Sequence, residues 1–232
     1  MKIKHFIITR FNYTSDYEHL SQRIELFRRY TMPSIYAQTC QKFEWLIIGQ
    51  PDFEIPGARC FFEGCAKPLP TTITAKYMEY IESVSQDADL VLTTRLDNDD
   101  MLMPRYVQDV QMAAVYKPPR HLFETRGYRY NLRNKRFYRD KLHNKELTSP
   151  FLTLTCSPKK LITVYCAPHS TMWKKFNLTI LPKRRWVQII HTTNWLLAKP
   201  SNTVIENKGI RTRIDPFVKS LATRDIEEYN KY

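Results

Sequence analysis

The sequence predicts an α/β fold in one domain, with a mostly parallel central sheet flanked by helices. Two observations carry this prediction. Through the first half of the chain, short apolar runs bounded by turn residues alternate with longer stretches of helical periodicity. The composition, 43% hydrophobic, 25% charged and 13% aromatic over 232 residues, is that of a folded chain large enough for a real core.

The elements follow in order. His5–Thr9 is a short apolar run ending in Arg10-Phe11-Asn12, a strand with a polar edge. From Asp16 to Tyr30, Leu20, Ile24 and Phe27 mark one face of an amphipathic helix capped by Ser15 or Asp16. Pro33 opens a further helical turn over Met32–Thr39. Phe43–Gly49 is a second buried strand. Residues 51–70 hold four Pro and two Gly and read as loop, with a short strand at Arg59–Phe62. Thr72–Ser85 carries Ile73, Tyr77, Tyr80, Ile81 and Val84 on one stripe, a helix. Asp89–Thr94 is a third strand that runs straight into Arg95-Leu96-Asp97-Asn98-Asp99-Asp100, and Pro104 leads into a helix at Tyr106–Tyr116. Beyond this the character changes. A hairpin is expected around Asn131–Asn134, short strands at Phe151–Thr155 and Ile162–Tyr165, strand or helix at Trp186–His191, and a helical tail from Asp215. No repeat, low-complexity tract or linker divides the chain.

Composition narrows the function. Five Gly in 232 residues is about 2%, against roughly 7% in typical usage. They stand at Gly49, Gly57, Gly64, Gly127 and Gly209, in neither a G-x-G-x-x-G nor a G-x-x-x-x-G-K-[ST] arrangement. Backbone cradles for phosphate are therefore not expected, and a phosphorylated ligand would need another source of positive charge. The net charge of +13 supplies one. It is uneven: Leu147 to Ile205 contains no Asp or Glu but includes Lys159, Lys160, Lys174, Lys175, Lys183, Arg184, Arg185 and Lys199. Such a field favours anionic partners. Five Cys with no C-x-x-C pair read as buried thiols of a reducing compartment. The longest uncharged stretches, such as the 13 residues Trp186–Ala198, are shorter than the roughly 18–20 a spanning helix needs. With no signal-peptide pattern at Met1–His5, a cytoplasmic protein is expected.

The sharpest feature is Asp97-Asn98-Asp99-Asp100. Three carboxylates in four residues at the end of a buried strand repel one another unless a cation neutralises them. The C-terminal edge of a parallel sheet is also where α/β folds place ligands. A hard divalent ion, Mn²⁺ or Mg²⁺, suits oxygen ligands of this kind. An EF-hand loop is excluded because Met101 and Leu102 follow instead of further ligands and a Gly. A PD…(D/E)xK nuclease pattern is not met, since Pro51-Asp52 and Glu206-Asn207-Lys208 lie about 150 residues apart. The plain alternative is a solvated turn capping the next helix.

Four segments in order, Ile8-Thr9-Arg10-Phe11-Asn12, Thr94–Asp100, Ser149-Pro150-Phe151-Leu152-Thr153-Leu154 and Trp186-Val187-Gln188-Ile189-Ile190-His191, resemble a family of rhamnosyltransferases similar to small GT-A glycosyltransferases. The resemblance spans about residues 5–200. It implies a single GT-A, Rossmann-like domain over 1–232, with a nucleotide-sugar-binding half at about 1–118 and an acceptor and metal-completing half at about 119–232. It further implies a D-x-D site in which Mn²⁺ or Mg²⁺ bridges the diphosphate of a UDP- or dTDP-sugar, and transfer of rhamnose or a related hexose to a glycan or glycolipid acceptor. Carried over by position, Asp99 is the direct metal ligand, Asp97 faces ribose or metal, and Asp100 supports metal or sugar. A His from the C-terminal half completes such sites. His191 matches the family's motif, while His169 is placed at the sugar or diphosphate.

Around these, Arg10 and Asn12 end the first strand where the nucleotide would lie. Arg95 would pair with diphosphate or brace Asp97, and Lys76 would reach the nucleotide from the helix before the metal strand. Tyr128, Tyr130 and Trp173 are candidates for stacking on acceptor sugar, with core packing the plainer role. A catalytic base is harder to find, because residues 147–205 offer no carboxylate. Glu124 is the first candidate beside Asp100, then Asp140, Glu146 or a His, and inverting and retaining chemistry both stay open. The competing expectation is a nucleic-acid-binding protein or metal-dependent nuclease using the basic surface. No zinc-finger, RRM or helix-turn-helix signature supports it, so no nucleic-acid partner is expected. Peripheral contact with the cytosolic face of a membrane through 159–185 is expected if the acceptor is lipid-linked. Oligomeric state is left open.

Overall fold

The computed structural model describes residues 1–11, 17–49, 54–61, 71–139 and 149–191. Among these the strands are β1 (Ile3–Arg10), β2 (Glu44–Ile48), β3 (Ala58–Phe61), β4 (Leu90–Asp97), β5 (Met101–Leu102), β6 (His121–Asn131), β7 (Arg136–Arg139), β8 (Leu152–Cys156) and β9 (Asn177–Ile190). The helices are α1 (Tyr17–Leu26), α2 (Met32–Tyr36), α3 (Thr71–Val84) and α4 (Tyr106–Ala114). All the strands join one sheet in the order β3-β2-β1-β4-β8-β6-β9-β5, with β7 on β6. The α/β class with a central sheet flanked by helices is as the sequence predicts. Parallel pairing joins β3, β2, β1 and β4, and also β6 to β9; β8, β7 and β5 pair antiparallel.

β1, β2 and β4 bury both faces, so side-chain alternation sorts them between two cores. Ile7, Trp45, Ile47, Leu90, Leu92 and Leu96 pack against Phe27, Ile35, Tyr106, Val107 and Val110 from the α1–α2 and α4 side. Phe6, Ile8, Leu46, Ile48 and Val91 pack against Tyr77 and Ile81 of α3. Leu20, Ile24 and Phe27 do face the sheet. The helix containing them changes pitch, however, into a π-helical turn at Phe27–Thr31 before α2.

Two differences from the sequence reading bear on the site. The strand ending at Ile190 begins at Asn177, far upstream of Trp186. Pro182 and the basic run after it disguise this. Thr125 pairs with Leu181 and Arg126 with Arg184, so Pro182 and Lys183 sit in a bulge where no ladder donor is needed. Ile162–Tyr165 is not a strand. The Val164 amide donates to Thr93 Oγ1 at 2.9 Å and the Cys166 amide to the Thr163 carbonyl, which closes a turn instead of a ladder. The thiols are also less uniformly interior than expected: Cys156 is buried, Cys40 and Cys60 are half-buried, and Cys166 is exposed. Cys65, the caps at Ser15 and Asp16, and the tail from Asp215 lie outside the described residues.

Candidate active site

The acidic turn is held by strands on both sides. β4 delivers Asp97 in register with Arg10 at the end of β1. Just past the turn, β5 pairs with β9 through Met101–Val187 and Leu102–Trp186. The Asp100 carboxylate strengthens that junction by accepting the Ile189 amide at 2.9 Å. Because β9 is anchored there, its end carries His191 to Asp99, with Nε2 at 2.9 Å from Oδ2. α2 and the turn that follows it lock the far side of the acidic turn. Gln38 Nε2 donates to the Met103 carbonyl at 2.9 Å, and Ser34 Oγ accepts the Leu102 amide at 3.2 Å.

Within this frame each carboxylate has a different partner. Arg95 grips both Asp97 oxygens, Nε to Oδ1 at 3.2 Å and a terminal nitrogen to Oδ2 at 3.1 Å. Burial alone would raise the Asp97 pKa, but the Arg95 guanidinium outweighs it and holds the carboxyl below its ordinary value. In return, burial's pull against the Arg95 cation is overcome by Asp97, which keeps the guanidinium charged. Asp99 Oδ2 takes Arg23 from α1 at 2.5 Å together with His191. Asp100 is pushed well above the usual carboxylate range, first by burial and then by the neighbouring Asp99 and Asp97 charges, with the Ile189 amide pulling the other way.

A basic and aromatic corner adjoins the acids. The Arg10 and Arg95 guanidiniums lie 5.2 and 5.4 Å from the Tyr165 ring centre. Arg95 also donates to His169 Nδ1 at 3.1 Å. Since Arg has no acceptor, His169 is neutral on that nitrogen. Burial first and then the Arg95 charge lower its pKa, in agreement with this. Arg10 is half-buried, and among the described residues it contacts no carboxylate within ion-pair distance.

The structure thus brings together Arg10, Arg95, Asp97 and His169 on one side of the turn and Asp99, Asp100 and His191 on the other. Arg95 takes the bracing role for Asp97. Lys76 stands exposed on α3. Glu124 is buried at 5% exposure and accepts the Ser149 amide at 3.0 Å, a tie between β6 and the segment before β8. Tyr128 and Tyr130 are core residues, Tyr130 stacked on Phe137 at 4.4 Å. Asn12, Asp140 and Glu146 lie outside the described residues. Sequence reasoning missed Arg23 and Tyr165. The repulsion within the acidic cluster signals that some cation must approach, but nothing local tells which helix supplies it.

A divalent ion here would draw on the carboxylates and imidazoles around the turn. Among the described residues no three His, Cys, Asp or Glu side chains converge on one point. Asp97 is taken on both oxygens. Asp99 and His191 do meet, and beside them lies the Asp100 carboxyl, its pKa raised first by burial and then by the Asp99 and Asp97 charges. One or two protein ligands completed by water and substrate phosphates is the usual manner in which Mg²⁺ is bound. The residues fit an ion held by Asp99 and His191 only once Arg23, 2.5 Å from Asp99 Oδ2, has moved off that oxygen, with Asp97 outside the ligand set.

No family model matches the chain, and no curated protein matches it in sequence. Among solved structures, S. aureus TarS is similar in shape at low identity. The TarS 1-349 structure is 10% identical with a TM-score of 0.40, over 80% of this chain and 60% of that one. TarS 1-349 in complex with UDP-GlcNAc is 11% identical with a TM-score of 0.41, over 82% of this chain and 59% of that one. A longer TarS structure is 10% identical with a TM-score of 0.41, over 82% and 37%. This chain therefore spans about three fifths of TarS 1-349. No described helix is long and apolar enough to cross a membrane.

Proposed function

We infer that the chain is a GT-A-type glycosyltransferase that moves a sugar from a nucleoside-diphosphate donor, a UDP- or dTDP-sugar, to a glycan or glycolipid acceptor. The observation that carries the reading is the joint at the ends of β4 and β9. There Asp99 and His191 meet beside the half-buried Arg10 and the Asp97-braced Arg95. That sets a carboxylate and an imidazole, both able to ligate a cation, next to a positive corner, as a metal–diphosphate pair requires.

Asp99 and His191 would hold Mn²⁺ or Mg²⁺, which supplies Lewis-acid stabilisation of the charge on a departing nucleoside diphosphate. The chain's own residues do the rest. Arg10 offers a cation to the donor phosphates. Asp97 fixes Arg95 in one rotamer and keeps it charged, so that its outer face and the neutral His169 can orient the donor. Asp100 is a strut between the turn and β9. Glu124, committed to the Ser149 amide, supports the sheet and is not assigned as the base. Rhamnose or a related hexose is the sugar suggested by the sequence resemblance.

The test is a panel of UDP-, dTDP- and GDP-sugars incubated with the protein and Mn²⁺ or Mg²⁺, with release of nucleoside diphosphate measured. Turnover of one donor that stops with EDTA is expected. The absence of turnover and of binding for every donor would defeat the reading.

A further inference from the structure

Arg23 has no part in the reading above, yet it makes the tightest contact at the centre of the site. Its guanidinium lies 2.5 Å from Asp99 Oδ2, the same oxygen that His191 Nε2 approaches at 2.9 Å. The Arg23 and Asp99 side chains are 15% and 7% exposed, so solvent screens this pair little. A guanidinium and a divalent ion cannot share that oxygen, because their like charges would repel across a few ångströms in a poorly screened corner.

The docked position of Arg23 is also imperfect. It donates to Asn98 Oδ1 at a long 3.3 Å, and Asn98, only 1% exposed, has no acceptor for Nδ2 among the described residues. Arg23 lies on α1 one turn before the π-helical segment Phe27–Thr31, a geometry that recurs where helices adjust at functional sites. Its long side chain reaches the cluster from a partly exposed position and can leave towards water. Arg95 differs in holding Asp97 through two hydrogen bonds on its own strand.

We propose that Arg23 is a resident counter-cation of Asp99 which a divalent ion must displace, so that Arg23 sets how tightly this site takes metal. The proposal rests on the reading that Asp99 and His191 hold the ion. It makes Arg23 a positioning residue: it keeps the acidic turn assembled while no ion is bound and swings aside when one arrives.

The experiment is a Mn²⁺ titration of the full chain without nucleotide, followed by the paramagnetic resonance of free Mn²⁺. Arg23→Gln removes the charge at nearly constant size and is expected to bind Mn²⁺ at least about tenfold more tightly than the native chain, because no like charge then has to be moved aside. Arg23→Lys keeps the charge and is expected to stay close to native affinity. Equal or weaker binding by Arg23→Gln, with native binding intact, overturns the proposal and leaves the metal reading standing. No Mn²⁺ binding by either protein, with or without UDP, overturns the metal reading and this proposal with it. Should Arg23→Gln not fold, a Mg²⁺ titration of the native chain decides. The Arg23 guanidinium resonance must move as the site fills, and an unmoved resonance at saturation contradicts displacement.

Discussion

The three acidic residues of the turn have separable tasks, and substitutions should separate them. Asp99→Asn is expected to abolish Mn²⁺ binding. Asp97→Asn should leave Mn²⁺ binding near native while weakening nucleotide binding, since it frees Arg95 from its two-point grip. Titrations of both variants with Mn²⁺ and then UDP would show this, and an equal loss of metal in both would contradict the division. Asp100 behaves in the opposite sense. Burial and the Asp99 and Asp97 charges work against its ionised form, and its bond to the Ile189 amide needs only an acceptor oxygen. Asp100→Asn keeps the acceptor and removes the repelled charge, so urea unfolding should show stability unchanged or raised by about 1 kcal/mol. A loss comparable to Asp100→Ala would mean that the charge itself is needed.

At the scale of elements, the site depends on β9 lying in register with β6, and a single close approach fixes that register. Gly127 on β6 pairs with Trp186 on β9, and a Cβ at Gly127 would fall 2.0 Å from the indole. The indole has nowhere to go. It is 1% exposed, stacks on Phe151 at 4.4 Å and donates to the Thr125 carbonyl at 2.7 Å. Gly127→Ala should therefore destabilise by about 3 kcal/mol or more, at the upper end of overpacking effects. Adding Trp186→Leu should recover part of that loss, and strict additivity in urea unfolding would count against the clash.

The same elements show what could be read from sequence. β1, β2 and β4 are buried on both faces, so their apolar runs are continuous and legible, as is the acidic turn that interrupts the last of them. β9 is half-exposed over its first part and carries a proline bulge, which leaves only Trp186–Ile190 visible as periodic sequence. The His191–Asp99 junction was anticipated from a resemblance in motif. Arg23 was not, because its partner lies 76 residues away and the stripe of Leu20, Ile24 and Phe27 describes only the apolar face of α1.

For the whole molecule, one buried histidine ties the parallel sheet to α4 and should contribute to acid sensitivity. His5 lies on β1, with Nε2 2.7 Å from Thr94 Oγ1 of β4 and Nδ1 accepting from Gln111 Nε2 of α4 at 3.2 Å. Both bonds suit the neutral ring, and burial lowers its pKa from 6.5 to about 3. The folded state thus resists protonation that the unfolded chain accepts. His5's contribution is complete above pH 6.5 and falls by about 1.4 kcal/mol per pH unit below that, down to the folded value near 3. Urea unfolding at pH 7 and pH 5 should differ by about 2 kcal/mol more in the native chain than in His5→Gln. An identical pH dependence in the two proteins would place the acid sensitivity elsewhere. The charge of +13 acts at the same scale. If the site takes a nucleoside diphosphate as proposed, this charge would draw the anion in, and association with UDP should slow as salt rises.

Calorimetry of UDP and dTDP binding to the full chain, with Mn²⁺ and with EDTA, tests the central claim most directly. At least one nucleoside diphosphate should bind about tenfold or more tightly with Mn²⁺ than with EDTA, and Asp99→Asn should erase the difference. Binding that is the same with EDTA, or no binding of any nucleoside diphosphate, would contradict the account.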